Sequence, residues 1–327
     1  MSKLGVVLPF HAFPGREIIE LAQEMETRGY DTAWAAEASG ADALMTLAVI
    51  ASHTSRLRVA TGVVPIQTRT PIVLTLAATT LGHLAPGRVA LGVGVSSPII
   101  VGQWHGLPFR KPLQHMRETV QVLRLALSGE RVNFEGEFYR IKNFRLSLPS
   151  TPVRIYLGAL GTRMLELAGE IADGVLFNWL APDTVAASIR HVEAGARRAL
   201  RSLADFEIAA FVRTCVTDDP ATARQWLARE ITGYAIVDAY AAFFRSSGFT
   251  AEVDAINTAW KAGDRAGSVT RVSPRVLDGL GAIGPAEFCR ERIVEFAKAG
   301  LTMPVVMPFS PEADSRPALR RTIRSFP

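Results

Sequence analysis

The sequence predicts a (β/α)8 barrel, and three observations carry the prediction. Eight short apolar runs recur along the chain, seven of the connections between them contain a helical pattern, and 327 residues suit eight such units. A doubly wound sheet is the alternative, but it usually needs fewer strands and an early glycine fingerprint.

The first run, "KLGVVLPF" (3–10), precedes "GREIIELAQEMETRGY", where Ile18, Leu21, Ala22 and Met25 form one apolar stripe at helical spacing. "TAWAAEA" (32–38), "LRVATGVVPI" (57–66) and "RVALGVGVS" (88–96) supply the second to fourth strands. The helix "HMRETVQVLRLALSG" that follows ends in a Gly129 cap. Residues 130–152 alternate apolar and polar around Gly136 and predict a hairpin before the fifth strand, "VRIYLGAL" (153–160). "GVLFNWL" (174–180), "EIAAFVRTCVT" (207–217) and "MPVVMPF" (303–309) complete the eight. Between the last two, residues from about 219 to 284 are helical in pattern and end at Gly284-Pro285. They read as an insertion, so residues 1–327 are expected to form one barrel domain.

Composition excludes several functions. With 48% hydrophobic and 20% charged residues, disorder is not the main state. The net charge is +5, but the arginines are scattered singly and no basic cluster carries interleaved aromatics, so no nucleic-acid partner is expected. An anionic small molecule suits the balance better. No run is long enough to span a membrane, and the N-terminal apolar run is too short for a signal peptide, which predicts a cytoplasmic protein. Cys215 and Cys289 lie far apart without metal-ligand spacing and read as small core residues; no metal is expected.

In a barrel the site lies at the C-terminal strand ends. These read Pro9-Phe10-His11, Glu37-Ala38-Ser39, Thr61-Gly62-Val63, Gly94-Val95-Ser96, Gly158-Ala159-Leu160-Gly161 and Asn178-Trp179. They contain no Ser-His-Asp order, carboxylate pair or His/Cys cluster, which weighs against hydrolysis and metal catalysis. They do offer small residues at neighbouring positions, where backbone amides can approach a flat ligand or a phosphate. "LGALGTRMLELAGEIADG" opens a helix on a Gly-rich turn and is the phosphate candidate, against the alternative of a tight βα turn. Gly92 and Gly94 begin no dinucleotide fingerprint, because Ser97 stands where the third glycine would be and three strands precede it.

Among single residues, Glu37 is the only carboxylate at a strand end and is a candidate proton donor, or else the structural partner of an arginine such as Arg69. His11 either touches substrate or is solvated. Trp104 and His105 could help close the pocket, and Asn178 and Trp179 are expected to line it. His83 and Arg88 read as structural.

"RVATGVVPIQTRTPIVLTLAATTLGHLAPGRVALGVGVSSP", "QWHGLPFRKPLQHMRETVQVLR" and "LGALGTRMLELAGEIADGVLFNW" resemble the luciferase-like monooxygenase superfamily, over nearly the whole chain. More narrowly, the chain is similar to the branch of coenzyme F420 (deazaflavin) dependent oxidoreductases that includes methylenetetrahydromethanopterin reductase. The resemblance implies a (β/α)8 barrel with an insertion before the last strand, and a dimer. It implies a non-prolyl cis peptide at Gly62-Val63 behind the deazaflavin, a fourth-strand loop Gly94-Val95-Ser96 along it, and a phosphate loop at Gly158–Gly161. Glu37 would then donate a proton or a hydrogen bond to the deazaflavin. Sugar-phosphate dehydrogenases of this branch have a histidine and a glutamate where Ala38 and Val95 stand here. Their absence turns the expectation toward reduction of an imine, alkene or similar electrophile, by hydride from deazaflavin C5. The alternatives are an FMN-dependent monooxygenase of the same superfamily and a cofactor-binding protein without efficient catalysis.

Overall fold

The protein was analysed as a computed structural model, which describes residues 3–327. Eight parallel strands follow one another round a closed sheet: β1 (Gly5–Val7), β2 (Thr32–Ala35), β3 (Arg58–Thr61), β4 (Val89–Gly94), β5 (Arg154–Gly158), β6 (Gly174–Asn178), β7 (Glu207–Val216) and β8 (Met303–Pro308). Gly5 shows the closure, since it pairs with Thr32 of β2 on one side and Val305 of β8 on the other. This is the predicted (β/α)8 barrel.

Helices cover the outside because each carries one apolar stripe. In α1 (Glu17–Arg28) the buried residues are Ile18, Leu21, Ala22 and Met25, and Gly29 ends the helix at φ 94, a conformation that costs glycine little. The helices α2 (Ala43–His53), α3 (Pro71–Leu84) and α4 (Pro112–Leu127) follow β2, β3 and β4. Next come α5 (Thr162–Ile171) and α6 (Pro182–Arg198), after β5 and β6. The hairpin lies where expected, with Val132–Glu135 antiparallel to Arg140–Phe144. Glu118 of α4 pins it by accepting from the amides of Glu137, Phe138 and Tyr139 at 3.0, 2.8 and 3.3 Å.

The insertion after β7 contains α7 (Pro220–Ala235), α8 (Asp238–Ser246), α9 (Thr250–Lys261), α10 (Arg265–Thr270) and α11 (Pro274–Leu280). It is not helical to its end. Residues Gly281–Gly284 form a short strand parallel to β7, with Arg213 opposite Gly281 and Val216 opposite Gly284. The reason is length: β7 has ten residues, whereas β6 stops at Asn178 opposite Phe211, so the remaining backbone groups of β7 need another partner on that side. Helices α12 (Ala286–Lys298) and α13 (Arg316–Arg324) complete the chain.

Strand alternation splits the apolar residues into two sets. The larger fills the space between strands and helices. The smaller packs inside the barrel and includes Val7, Trp34, Ala60, Ala90, Tyr156, Leu176, Phe211 and Val305. The N-terminal end is closed by Glu207, which accepts from Lys3 at 2.5 Å, from Arg58 at 3.0 Å and from the Tyr156 hydroxyl. Burial pushes this carboxyl up, but those donors outweigh it and hold it at about 2. At the N-terminal end such a network serves stability.

Candidate functional site

The run 57–66, expected as one strand, is divided. β3 stops at Thr61, the Gly62-Val63 peptide is cis, and Val64–Pro65 then pairs with β4 opposite Val93 and Gly94. The Val63 side chain therefore lies across the ends of β4 and β5. A Cβ on Gly94 would meet Val63 at 2.3 Å, and one on Gly158 would meet it at 3.1 Å. A Cβ on Gly92 would meet the Thr61 carbonyl oxygen at 2.0 Å, and the Thr61 hydroxyl bonds that same glycine at 2.7 and 2.8 Å. These glycines were expected to admit a ligand to the backbone. The structure shows that they also make room for the bulge, whose Val63 side chain lies over Gly94 and Gly158 on this side of the mouth.

The turn Gly158-Ala159-Leu160-Gly161 behaves differently. Gly161 is exposed at the N-terminus of α5, nothing lies within 4 Å of where its Cβ would be, no side chain caps the helix and no acidic residue occupies the first turn. Helix amides left in this state favour an anion. Ala159 is buried and its amide donates to the Leu176 carbonyl at 3.3 Å, and Leu160 packs on the core, so Gly161 is the exposed residue of the turn. Ser96, just beyond β4, has φ 57, a left-handed conformation that non-glycine residues adopt at a cost. Val95 before it is half-buried against the core.

Glu37 is not free. Arg69 donates to both its oxygens, Nε to Oε1 at 2.9 Å and Nη2 to Oε2 at 2.7 Å, and the Ala43 amide adds 3.2 Å to Oε2. Arg69 also reaches Asp42 at 2.5 Å, and Asp42 caps α2 through the Met45 amide at 2.9 Å. The arginine is held charged, first by its hydrogen bond to Glu37. Of the two roles open for Glu37, the geometry supports the arginine partner. His11 is exposed in the loop after β1. Trp104 ends a six-residue π-helical turn, Ile99–Trp104, and is 55% exposed, facing solvent.

Trp179 departs from the expectation that it lines the pocket, whereas Asn178 stays half-exposed on the inward side of β6, two residues beyond the inward Leu176. Trp179 adopts φ 63, is 1% exposed and lies beneath Arg213, whose guanidinium sits 3.6 Å over its ring. Asn178 spends both ends of its amide inside the protein, accepting from Arg213 and donating to the Tyr240 hydroxyl at 3.1 Å. The overshoot of β7 is the cause, because it brings Arg213 above the end of β6 and draws both residues toward the insertion. Burial pushes the Tyr240 hydroxyl up to about 12, so it stays protonated in this network.

Arg213 itself is 1% exposed and pairs with Glu230 of α7 at 3.1 Å. Nothing in the strand pattern singled it out. The available signal was an arginine at an inward position, two residues beyond the inward Phe211, in an otherwise apolar strand. Arg88 and His83 are structural as expected: Arg88 donates to the carbonyls of Leu57, Ala51 and Thr54, and His83 meets the Pro149 carbonyl at 3.0 Å. Cys215 and Cys289 are buried and free. Among the described residues, no group of three or more His, Cys, Asp or Glu side chains could hold a metal ion, and no helix is long and apolar enough to cross a membrane.

The sequence pattern of the family described as luciferase-like monooxygenase matches residues 2–303. A Mycobacterium tuberculosis protein assigned as a coenzyme F420-dependent oxidoreductase is 33% identical, covering 95% of this chain and 96% of its own. The 5,10-methylenetetrahydromethanopterin reductase of Archaeoglobus fulgidus is 27% identical over 88% of each chain. Among solved structures, the coenzyme F420 dependent tetrahydromethanopterin reductase of Methanopyrus kandleri superposes with a TM-score of 0.82 at 23% identity, covering 99% and 98% of the two chains. At that identity it is the fold that is shared.

Proposed function

Since the chain belongs to the luciferase-like monooxygenase family, we propose that it is a coenzyme F420-dependent oxidoreductase acting on a small organic electrophile such as an imine or alkene. The observation that carries this reading is the mouth between β3 and β5, where the Val63 bulge forms an apolar floor beside the exposed, uncapped α5 N-terminus. A flat ring joined to an anionic chain fits such a floor. When bound, F420 supplies a hydride at its C5.

This chain's own residues would do the remaining work. Thr61, Gly62 and Val63 back the ring, Gly94, Val95 and Ser96 run along it, and the Gly158–Gly161 turn holds the anionic chain through the uncapped amides that open α5, the Ala159 amide being taken by the Leu176 carbonyl. His11 and Trp104, both exposed, can contact substrate or close over it. Glu37 fastens Arg69 and the start of α2 at the rim and does not deliver a proton. With no free acid/base pair at these strand ends, rate depends on face-to-face placement and water exclusion.

The protein is proposed to be a homodimer. α2 and α3 carry no Asp, Glu, Lys or Arg, yet they expose Met45, Val49, Val73, Leu76 and Leu84, with Met45 at 72% and Leu76 at 50%. Two buried, unpaired cysteines agree with a cytoplasmic setting.

Titration with F420 and with FMN, followed by cofactor fluorescence, tests the reading. Saturable F420 binding without FMN binding is expected; the reverse favours the monooxygenase. F420 binding without turnover of reduced cofactor, over a panel of imines, enones and nitro compounds, points to a binding protein.

A further inference from the structure

Trp226, Glu230 and Tyr234 stand four residues apart on α7 and share one side of it. Each reaches a different strand end. Trp226 stacks on Phe309, directly after β8, with centroids 4.7 Å apart and planes at 15°. Glu230 takes Arg213 of β7 at 3.1 Å. Tyr234 meets Trp179, directly after β6, edge-on at 5.1 Å. In an eight-stranded ring closed in chain order, β7 lies opposite β3, so α7 crosses the mouth on the side facing the Val63 floor.

We propose that Arg213 is a positioning residue that latches α7 across the mouth, making α7 the wall that shields the reacting faces of cofactor and substrate from water. The wall rests on F420 occupying the β3–β5 side; the latch does not. Aromatic contacts at the two ends of the stripe tolerate sliding and rotation. Arg213 removes that freedom, because its planar guanidinium is stacked on Trp179 while its donors are shared between Glu230 and Asn178. Tyr240 of α8 adds a second tie through Asn178. The insertion is thus held by a polar network buried at the end of β6 and β7, and truncating Arg213 leaves Glu230 without its partner.

Hydrogen exchange of the apoprotein reads the latch. Arg213→Met is expected to speed exchange of the α7 amides about tenfold or more while those of β1 to β5 stay as in wild type. Arg213→Lys should fall between, since it keeps the charge and loses the planar stack. Acrylamide quenching of bound F420 fluorescence reads the wall: in Arg213→Met the quenching constant should rise about twofold, with F420 affinity within about twofold of wild type. Unchanged α7 exchange, or protection lost evenly over the whole barrel, overturns the latch. A quenching constant that does not move overturns the wall. Should Arg213→Met fail to fold, Glu230→Gln carries the same two readouts in the same directions with smaller amplitude. If wild-type protein binds no F420, the proposed cofactor and the wall fall together, and α7 exchange still decides the latch.

Discussion

Both oxygens of Glu37 are occupied by the Arg69 fork and the Ala43 amide, which leaves the pair a mechanical task at the rim of the mouth. Glu37→Gln is expected to cost about 1–2 kcal/mol in urea unfolding, because Arg69 keeps only Asp42 as a charged partner. The pH profile of turnover should not change; a shifted limb would restore Glu37 as proton donor. Glu207 at the opposite end controls acid stability. Its carboxyl lies at about 2 in the folded chain, below the ordinary 4.5, so the unfolded chain binds more protons between those values. The stabilisation is therefore complete above pH 4.5 and is lost as pH falls toward 2. Glu207→Gln should lower stability by on the order of 3 kcal/mol at neutral pH and flatten this acid limb, measured by thermal melts across pH. Sequence could place Glu37 at a strand end, but it could not choose between proton donor and ion pair, since that depends on where the loop carrying Arg69 folds back.

The strand as an element explains what was legible and what was not. Alternation and length located all eight barrel strands, the hairpin and the helical insertion, because burial on two faces imposes a local pattern. They did not reveal the split at Gly62, since each half of "LRVATGVVPI" keeps an apolar, β-branched character. Nor did they reveal the strand Gly281–Gly284, whose formation depends on how far β7 overshoots β6. The bulge yields a direct prediction. Gly94→Ala should destabilise the protein by about 1–3 kcal/mol, as overpacking does. Val63→Ala in the same chain should recover much of that loss, because the new Cβ would collide with Val63 at 2.3 Å. Additive losses in this double-mutant cycle would mean that Gly94 is small for another reason, close approach of a ligand among them.

At the scale of the whole molecule, the uncharged outer faces of α2 and α3 give the proposed homodimer a surface. Leu76→Glu should shift the protein toward monomer in sedimentation velocity while F420 affinity stays within about twofold, since α3 lies outside the barrel. A dimer that survives this change uses another face. By itself the sequence determined the barrel, the order of its strands, the family and the end of the barrel that holds the site, because each follows from periodicity or from motifs contiguous in the chain. Only the tertiary structure decided that Val63 fills the space left by Gly94 and Gly158, that Arg69 takes Glu37, and that Asn178 and Trp179 both serve Arg213. Those outcomes join residues between 31 and 95 positions apart, as with Val63 against Gly94 and against Gly158, and no local pattern encodes which of two inward side chains reaches a shared space first.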